Sequence, residues 1–144
     1  LPREQAEGVR RPFHDVTLED LSPSTALSVQ PGTTVAKAVD LMREHSHGAI
    51  FIVDEGGHLL GIFTERDLLT KLALGEQNLD TTLIEEVMTK DPDSLKISAP
   101  LRMACNMMGS HGYRHVPIVD DEGVLIGFSS VRGMLKYLHT HVLI

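Results

Sequence analysis

Apolar and polar positions along the chain alternate between two periods. In "TTVAKAVDLMREH" (33–45), Val35, Ala38, Val39 and Met42 recur at helical spacing. "AIFIVD" (49–54) is a nearly continuous apolar run rich in branched residues, the pattern of a buried strand. "EGG" carries turn chemistry and "HLLGIF" reads as a second strand, so this stretch predicts a β-hairpin. "TERDLLTKLALG" returns to helical spacing and is predicted to end at Gly75. Upstream, "ALSV" (26–29) predicts a short edge strand.

The same order of elements recurs in "DSLKI", "LRMACNMMG", "HVPIVD", "VLIGF" and "SSVRGMLKYL", with "TTLIEEVM" (81–88) as a short amphipathic connector. At a constant offset of 66 residues, Ala38 falls on Ala104, Met42 on Met108 and His45 on His111. The same offset lays Gly61 on Gly127 and Arg66 on Arg132, and "IVD" on "IVD". The register holds without a gap over 18–72, too long for coincidence. The pattern predicts an α+β fold of two β-α-β-β-α repeats packed with pseudo-two-fold symmetry. Its expected organisation is an N-terminal arm at 1–17, a first repeat at 18–79 and a second at 80–144.

With 144 residues, 42% hydrophobic and 23% charged, the chain has the composition of a globular protein with a real core. A net charge of −7 without a long basic run argues against nucleic-acid or anionic-membrane binding. No apolar run is long enough to span a membrane. The start, "LPREQAEGVRRP", is polar and broken by proline, unlike a secretory signal, so a cytoplasmic location is expected. The first residue is leucine, so the chain is expected to be cut from a longer polypeptide or to lack a tag or disordered start. The single cysteine, Cys105, is expected to be a small buried hydrophobe.

The repeated hairpin leads into "GIFTERD" (61–67) in one copy and "GFSSVRG" (127–133) in the other. The hydroxyl persists as Thr64 and Ser130, but the acid Asp67 is replaced by Gly133. Threonine at the strand end with an acid three residues on resembles a capping box. On that reading the pair only starts a helix. The same geometry also suits a ligand: a helix N-terminus offers free N–H groups to a phosphate, and a carboxylate can grip both hydroxyls of a ribose.

"AIFIVDEGGHLLGIFTERDLL", "VMTKDP" and "YRHVPIVDDEGVLIGF" together resemble a tandem pair of cystathionine-β-synthase (CBS) domains, a Bateman module. The resemblance covers about 18–138, nearly the whole chain. It implies a regulatory module that binds an adenosine-containing ligand between the repeats and signals to a fused or partner protein. AMP, ADP or ATP is the expected ligand, NAD and S-adenosylmethionine are the other candidates, and no cofactor is required. Carried over, Thr64 and Asp67 grip ribose and phosphate, joined by Met88, Thr89, Asp93, Tyr113, Arg114 and His115. Tyr113 would stack on the base, and Arg66, Arg114 and His115 would supply positive charge. Asp93 is the member whose charge suits a phosphate least. The mirror-related site, with Ser22, Leu27, His47, Gly48 and Ser130, lacks the acid and is expected to be degenerate. The resemblance also implies a homodimer formed through helices. Met42, Leu68, Met107 and Leu135 fit either a core or that interface.

No nucleophile elbow, Walker sequence or Gly-x-Gly-x-x-Gly is present, so an enzyme is not expected. The pairs His45/His47 and His139/His141 have no third ligand nearby, so no metal site is expected. The competing reading is a structural dimerisation or protein-interaction module with no physiological nucleotide.

Overall fold

The computed structural model describes residues 11–75 and 78–143; most of the predicted arm, 1–10, lies outside them. The first half contains β1 (Arg11–Pro12), a 3-10 turn (Phe13–Asp15), α1 (Leu18–Leu21), β2 (Ser28–Val29), α2 (Val35–His45), β3 (Ala49–Val53), β4 (Leu59–Thr64) and α3 (Glu65–Leu74). The second half follows with α4 (Ile84–Val87), β5 (Thr89–Lys90), β6 (Leu95–Lys96), α5 (Leu101–His111), β7 (His115–Val119), β8 (Leu125–Ser130), α6 (Val131–His141) and β9 (Val142–Leu143). The fold is α+β, and each predicted strand and helix is present.

Local chemistry accounts for the element ends. The Thr34 hydroxyl accepts the Lys37 N–H at 3.1 Å and opens α2. Gly75, at φ 69°, closes α3 in the left-handed conformation that glycine adopts without strain.

The described chain forms two compact units. One contains residues 26–92, together with the hairpin tip 121–125. Its sheet runs β2-β3-β4-β5, with β2 parallel to β3 and the other pairs antiparallel. Val35, Ala38 and Met42 from α2 pack with Ile50, Ile52 and Phe63 from the hairpin and with Ile84 and Val87 from α4. The other unit contains 11–25, 93–120 and 126–143 of the described chain. Its sheet runs β6-β7-β8, and its core joins Leu101 and Ala104 of α5 to Val116, Ile118 and Met134.

These units do not coincide with the sequence repeats. The lead-in to each repeat packs on the body of the other. In one unit the N–H of Val35 donates to Thr82 O (2.9 Å) and that of Ile84 to Thr33 O (2.7 Å). In the other unit the equivalent bonds run from Leu101 N–H to Val16 O (2.9 Å) and from Leu18 N–H to Ala99 O (3.0 Å). Further along, Thr89 pairs with Ile62 of β4, and Ser24 bridges Phe128 of β8. The repeated glycine permits this close crossing. A Cβ on Gly61 would lie 2.9 Å from both Met88 Cγ and Thr89 O, and one on Gly127 would lie 2.5 Å from Ser24 O.

The two hairpin tips meet with local two-fold symmetry. Leu59 N–H donates to Gly123 O (3.2 Å), and Leu125 N–H donates to Gly57 O (3.0 Å), an exchange between residues equivalent at the repeat offset.

The described end of the arm is built into the fold. Val16 is buried, Phe13 packs on the core, and β1 pairs in parallel with β9. That ribbon was not legible in the sequence. The four residues left open between core and interface now separate. Met42 is buried, Leu68 and Met107 are half-buried against the two cores, and Leu135 is 62% exposed. Cys105 is half-buried rather than fully buried, and burial pushes its thiol up from the usual value. Ser129 is buried at the position equivalent to the core residue Phe63, and its hydroxyl has no partner among the described residues.

Candidate functional site

Thr64 ends β4 in an extended conformation (φ −118°, ψ 168°) and caps α3. Its hydroxyl accepts the Asp67 N–H at 3.2 Å. In return, Asp67 Oδ2 accepts the Thr64 N–H at 2.9 Å and the Thr64 hydroxyl at 3.1 Å. The capping box suggested by the sequence is complete. Both protein bonds to the carboxylate converge on Oδ2; among the described residues, Oδ1 has no partner. The first-turn donors are divided similarly. Glu65 N–H donates to Gly48 O (3.0 Å) and Asp67 N–H to Thr64, which leaves the Arg66 N–H without a partner among the described residues. Arg66 itself is exposed on α3. A fixed carboxylate oxygen and an open N–H at a helix start can take a hydroxyl donor and an anionic acceptor, respectively.

Met88 and Thr89 belong to the same unit. Met88 is half-buried on the core beside Gly61, and Thr89 pairs with Ile62. Leu27, His47 and Gly48, assigned to the second site, also fall in this unit. Leu27 packs on its core and accepts the Phe51 N–H at 2.9 Å, and Gly48 serves α3 through its carbonyl. His47 meets His45 edge-on, with ring centroids 6.3 Å apart.

The other unit contains Asp93, Tyr113, Arg114 and His115 with Ser22 and Ser130. The Tyr113 hydroxyl donates to Asp93 Oδ2 at 2.9 Å, and its ring stacks on His111 at 5.6 Å and 12°. The hydrogen bond to Asp93, aided by burial, pushes the Tyr113 phenol above its usual value. Asp93 therefore has a role its sequence position did not reveal: it anchors a tyrosine. Arg114 is exposed, and its carbonyl accepts the Val131 N–H at 3.1 Å, the counterpart of Gly48 and Glu65. His115 opens β7 and meets Phe128 at 5.7 Å.

Ser130 caps α6 as Thr64 caps α3, accepting the Gly133 N–H at 3.0 Å. With glycine at position 133 the reciprocal half of the box is missing. A cavity of ≈ 50 Å³ lies here, lined by Ser22 and Ser24 with Phe128, Ser130 and Gly133. That is well below the roughly 300 Å³ of ordinary small-molecule sites. Structure thus brings Ser22 and Ser130 together in one unit and places Leu27, His47 and Gly48 in the other.

Among the described residues, no group of three His, Cys, Asp or Glu side chains is placed to hold a metal, and no helix is long and apolar enough to cross a membrane.

Comparison with known proteins gives concordant results. A protein of 17.7 kDa from Acidianus ambivalens is 33% identical over 110 residues, covering 76% of this chain. The chain spans 65% of that relative's length, just under two thirds. A solved structure of a protein with CBS domains from Burkholderia ambifaria MC40-6 matches with a TM-score of 0.76 and 31% identity, covering 85% of this chain and 93% of that one. The structure of CBSX2 in complex with AMP shares the fold at a TM-score of 0.73 and 23% identity, covering 85% and 96% of the two chains. The CBS domain pattern itself matches twice, at 18–74 and 84–140, so the chain belongs to the CBS domain family and carries the domain as a tandem pair.

Proposed function

We propose that this CBS pair is a regulatory module that binds an adenosine-containing ligand through Thr64 and Asp67 and signals to a fused or partner protein. The observation that carries the proposal is the Asp67 carboxylate. Capping fixes it through Oδ2 and leaves Oδ1 unpartnered among the described residues, beside the open Arg66 N–H. That combination suits a ribose hydroxyl next to a phosphate. AMP in a protein of the same fold supports the ligand class. Met88 and Thr89, in the same unit as Thr64 and Asp67, join the proposed set; Asp93, Tyr113, Arg114 and His115, which the family resemblance adds, fall in the other unit. The Ser22/Ser130 copy is the weaker site because Gly133 supplies no carboxylate; Leu27, His47 and Gly48, assigned to it by the resemblance, fall in the other unit.

Calorimetry with AMP tests the reading, with ADP, ATP, NAD and S-adenosylmethionine compared by thermal shift. One equivalent of AMP is expected. Asp67→Ala and the isosteric Asp67→Asn should each weaken it, up to about a hundredfold, from loss of a charge-assisted bond of about 1.5–3 kcal/mol. Unchanged affinity in folded Asp67→Asn refutes the proposed grip.

The competing reading, an assembly module without a nucleotide, has its own support. Leu69 and Leu135, equivalent at the repeat offset, are 66% and 62% exposed on α3 and α6. We propose that these faces pair two copies of the chain. Leu69→Glu with Leu135→Glu should then sediment as a monomer where the parent is a dimer. A dimer that binds no adenosine compound in the thermal-shift panel would favour this reading over the first.

A further inference from the structure

Residues 11–15 form a strap on the unit that contains α5 and α6, and little of it is buried. β1 pairs in parallel with β9, Arg11 facing Val142 and Pro12 facing Leu143. Two residue pairs make a marginal ribbon, and Pro12 has no N–H to add to it. The 3-10 turn that follows packs on α5, and none of its residues is fully buried. Within the strap, Phe13 is the side chain that packs on the core, and it is half-buried. Val16, where the strap ends, is different. It is buried, and its carbonyl accepts the Leu101 N–H at 2.9 Å. A segment with a fixed base and thin contacts beyond it belongs to the parts of a fold that open locally.

Arg11 closes the strap. Its guanidinium donates from one nitrogen to Asp20 Oδ2 at 2.9 Å and from another to Asp15 O at 3.0 Å. The side chain thus joins β1 to the end of the turn and to α1. Asp20 is already fixed to receive it, because the same Oδ2 accepts the Thr17 N–H at 3.0 Å and the Thr17 hydroxyl at 3.3 Å. At the repeat offset the counterpart of Asp20 is Glu86, which accepts the Leu83 N–H at 2.7 Å and makes no ion pair among the described residues. Capping is therefore common to both copies, whereas the clasp by Arg11 is an addition to one.

On the other side of the ribbon lies the end of α6. The Val142 N–H donates to Leu138 O, so the residue that pairs with Arg11 also closes that helix. α6 presents the exposed Leu135.

We infer that the strap is a latch on α6: while Arg11 is clasped to Asp20 the end of the helix is held, and opening of the clasp releases strap and helix end together. The latch rests on neither reading of the function given above. It offers a means of changing α6, and the Leu135 face it carries, without disturbing the core.

Amide exchange followed by NMR at pH 7 tests the latch. The Val16 N–H donates to Phe13 O within the strap and the Val142 N–H closes α6, so both report on it. The Leu101 N–H on the fixed base and the Phe128 N–H, bonded to Ser24 O at 3.0 Å, report on the wider unit. In the parent, Val16 and Val142 should exchange faster than Leu101 and Phe128. Arg11→Ala should speed the first pair about threefold to tenfold, the range for a partly exposed ion pair with one further hydrogen bond. It should leave the second pair unchanged. Arg11→Lys, which keeps the charge but loses the planar fork, should fall between. High salt should speed the first pair in the parent and not in Arg11→Ala. Val142 exchange unmoved by Arg11→Ala would overturn the latch, since the end of α6 would then be held without the strap. Equal acceleration of all four amides would make Arg11 a support of the whole unit and would overturn it as well.

Discussion

Gly133→Asp should restore in α6 the capping box that α3 already has. The backbone is prepared for it. Ser130 (φ −105°, ψ 158°) closely matches Thr64 (φ −118°, ψ 168°). The forward bond of the box also exists, with the Ser130 hydroxyl accepting the residue-133 N–H at 3.0 Å. A Cβ on Gly133 would stand 3.1 Å from that hydroxyl, a close approach that a small rotation of an exposed serine relieves. Three contributions add. Replacing a helical glycine by aspartate gains a few tenths of a kcal/mol. The reciprocal bond from the carboxylate to the Ser130 N–H and hydroxyl contributes about 0.5–1 kcal/mol. A negative charge in the first turn contributes roughly 0.3–1 kcal/mol. The expected gain is about 1–2 kcal/mol, or about 3–7 °C in melting temperature for a chain of this size. Urea unfolding at pH 7 should measure it, with Gly133→Asn as an uncharged control of similar shape. The carboxylate's share must be complete above its unfolded pKa and must fade as pH falls through the depressed folded value. The advantage of Asp over Asn should therefore fade as pH falls below the usual carboxylate range. An aspartate variant no more stable than the asparagine variant at pH 7, or one whose advantage persists undiminished in acid, would refute the reasoning.

Gly61→Ala should destabilise by about 1–3 kcal/mol in urea unfolding, because its Cβ would press on Met88 and on a Thr89 carbonyl fixed by strand pairing. Ser129→Ala should stabilise by about 1 kcal/mol, since it removes a buried hydroxyl with no partner among the described residues. Burial opposes ionisation of Asp20, but the Thr17 N–H and the Arg11 guanidinium, 2.9 Å away, outweigh it and hold the carboxyl below its usual value. Its contribution is therefore present above about pH 4 and lost as pH falls through the lowered folded value, so Asp20→Asn should flatten acid unfolding there. Spectrophotometric titration should find Tyr113 ionising above the usual tyrosine range, and Asp93→Asn should bring it down.

Much of this protein was determined by sequence alone, because the governing interactions are local. The branched apolar run 49–53 fitted a buried strand, Gly75 could end a helix without strain, and Thr64 with Asp67 formed the capping box their spacing implied. The constant offset also predicted the repeated architecture and the unequal helix starts at Asp67 and Gly133. What only the tertiary structure decided lies in contacts between residues far apart in sequence. The pattern assigned each lead-in to its own repeat, yet the hydrogen bonds place each on the other repeat's body, where Gly61 and Gly127 leave room for it. The β1–β9 ribbon joins the two ends of the described chain, and no periodicity announces it. Asp93 read as an ill-suited neighbour of a phosphate until Tyr113, twenty residues later, was found donating to it. A hydrogen-bond partner brought in by the pairing of β6 with β7 leaves no periodic or short-range signature, so position along the chain could not supply it.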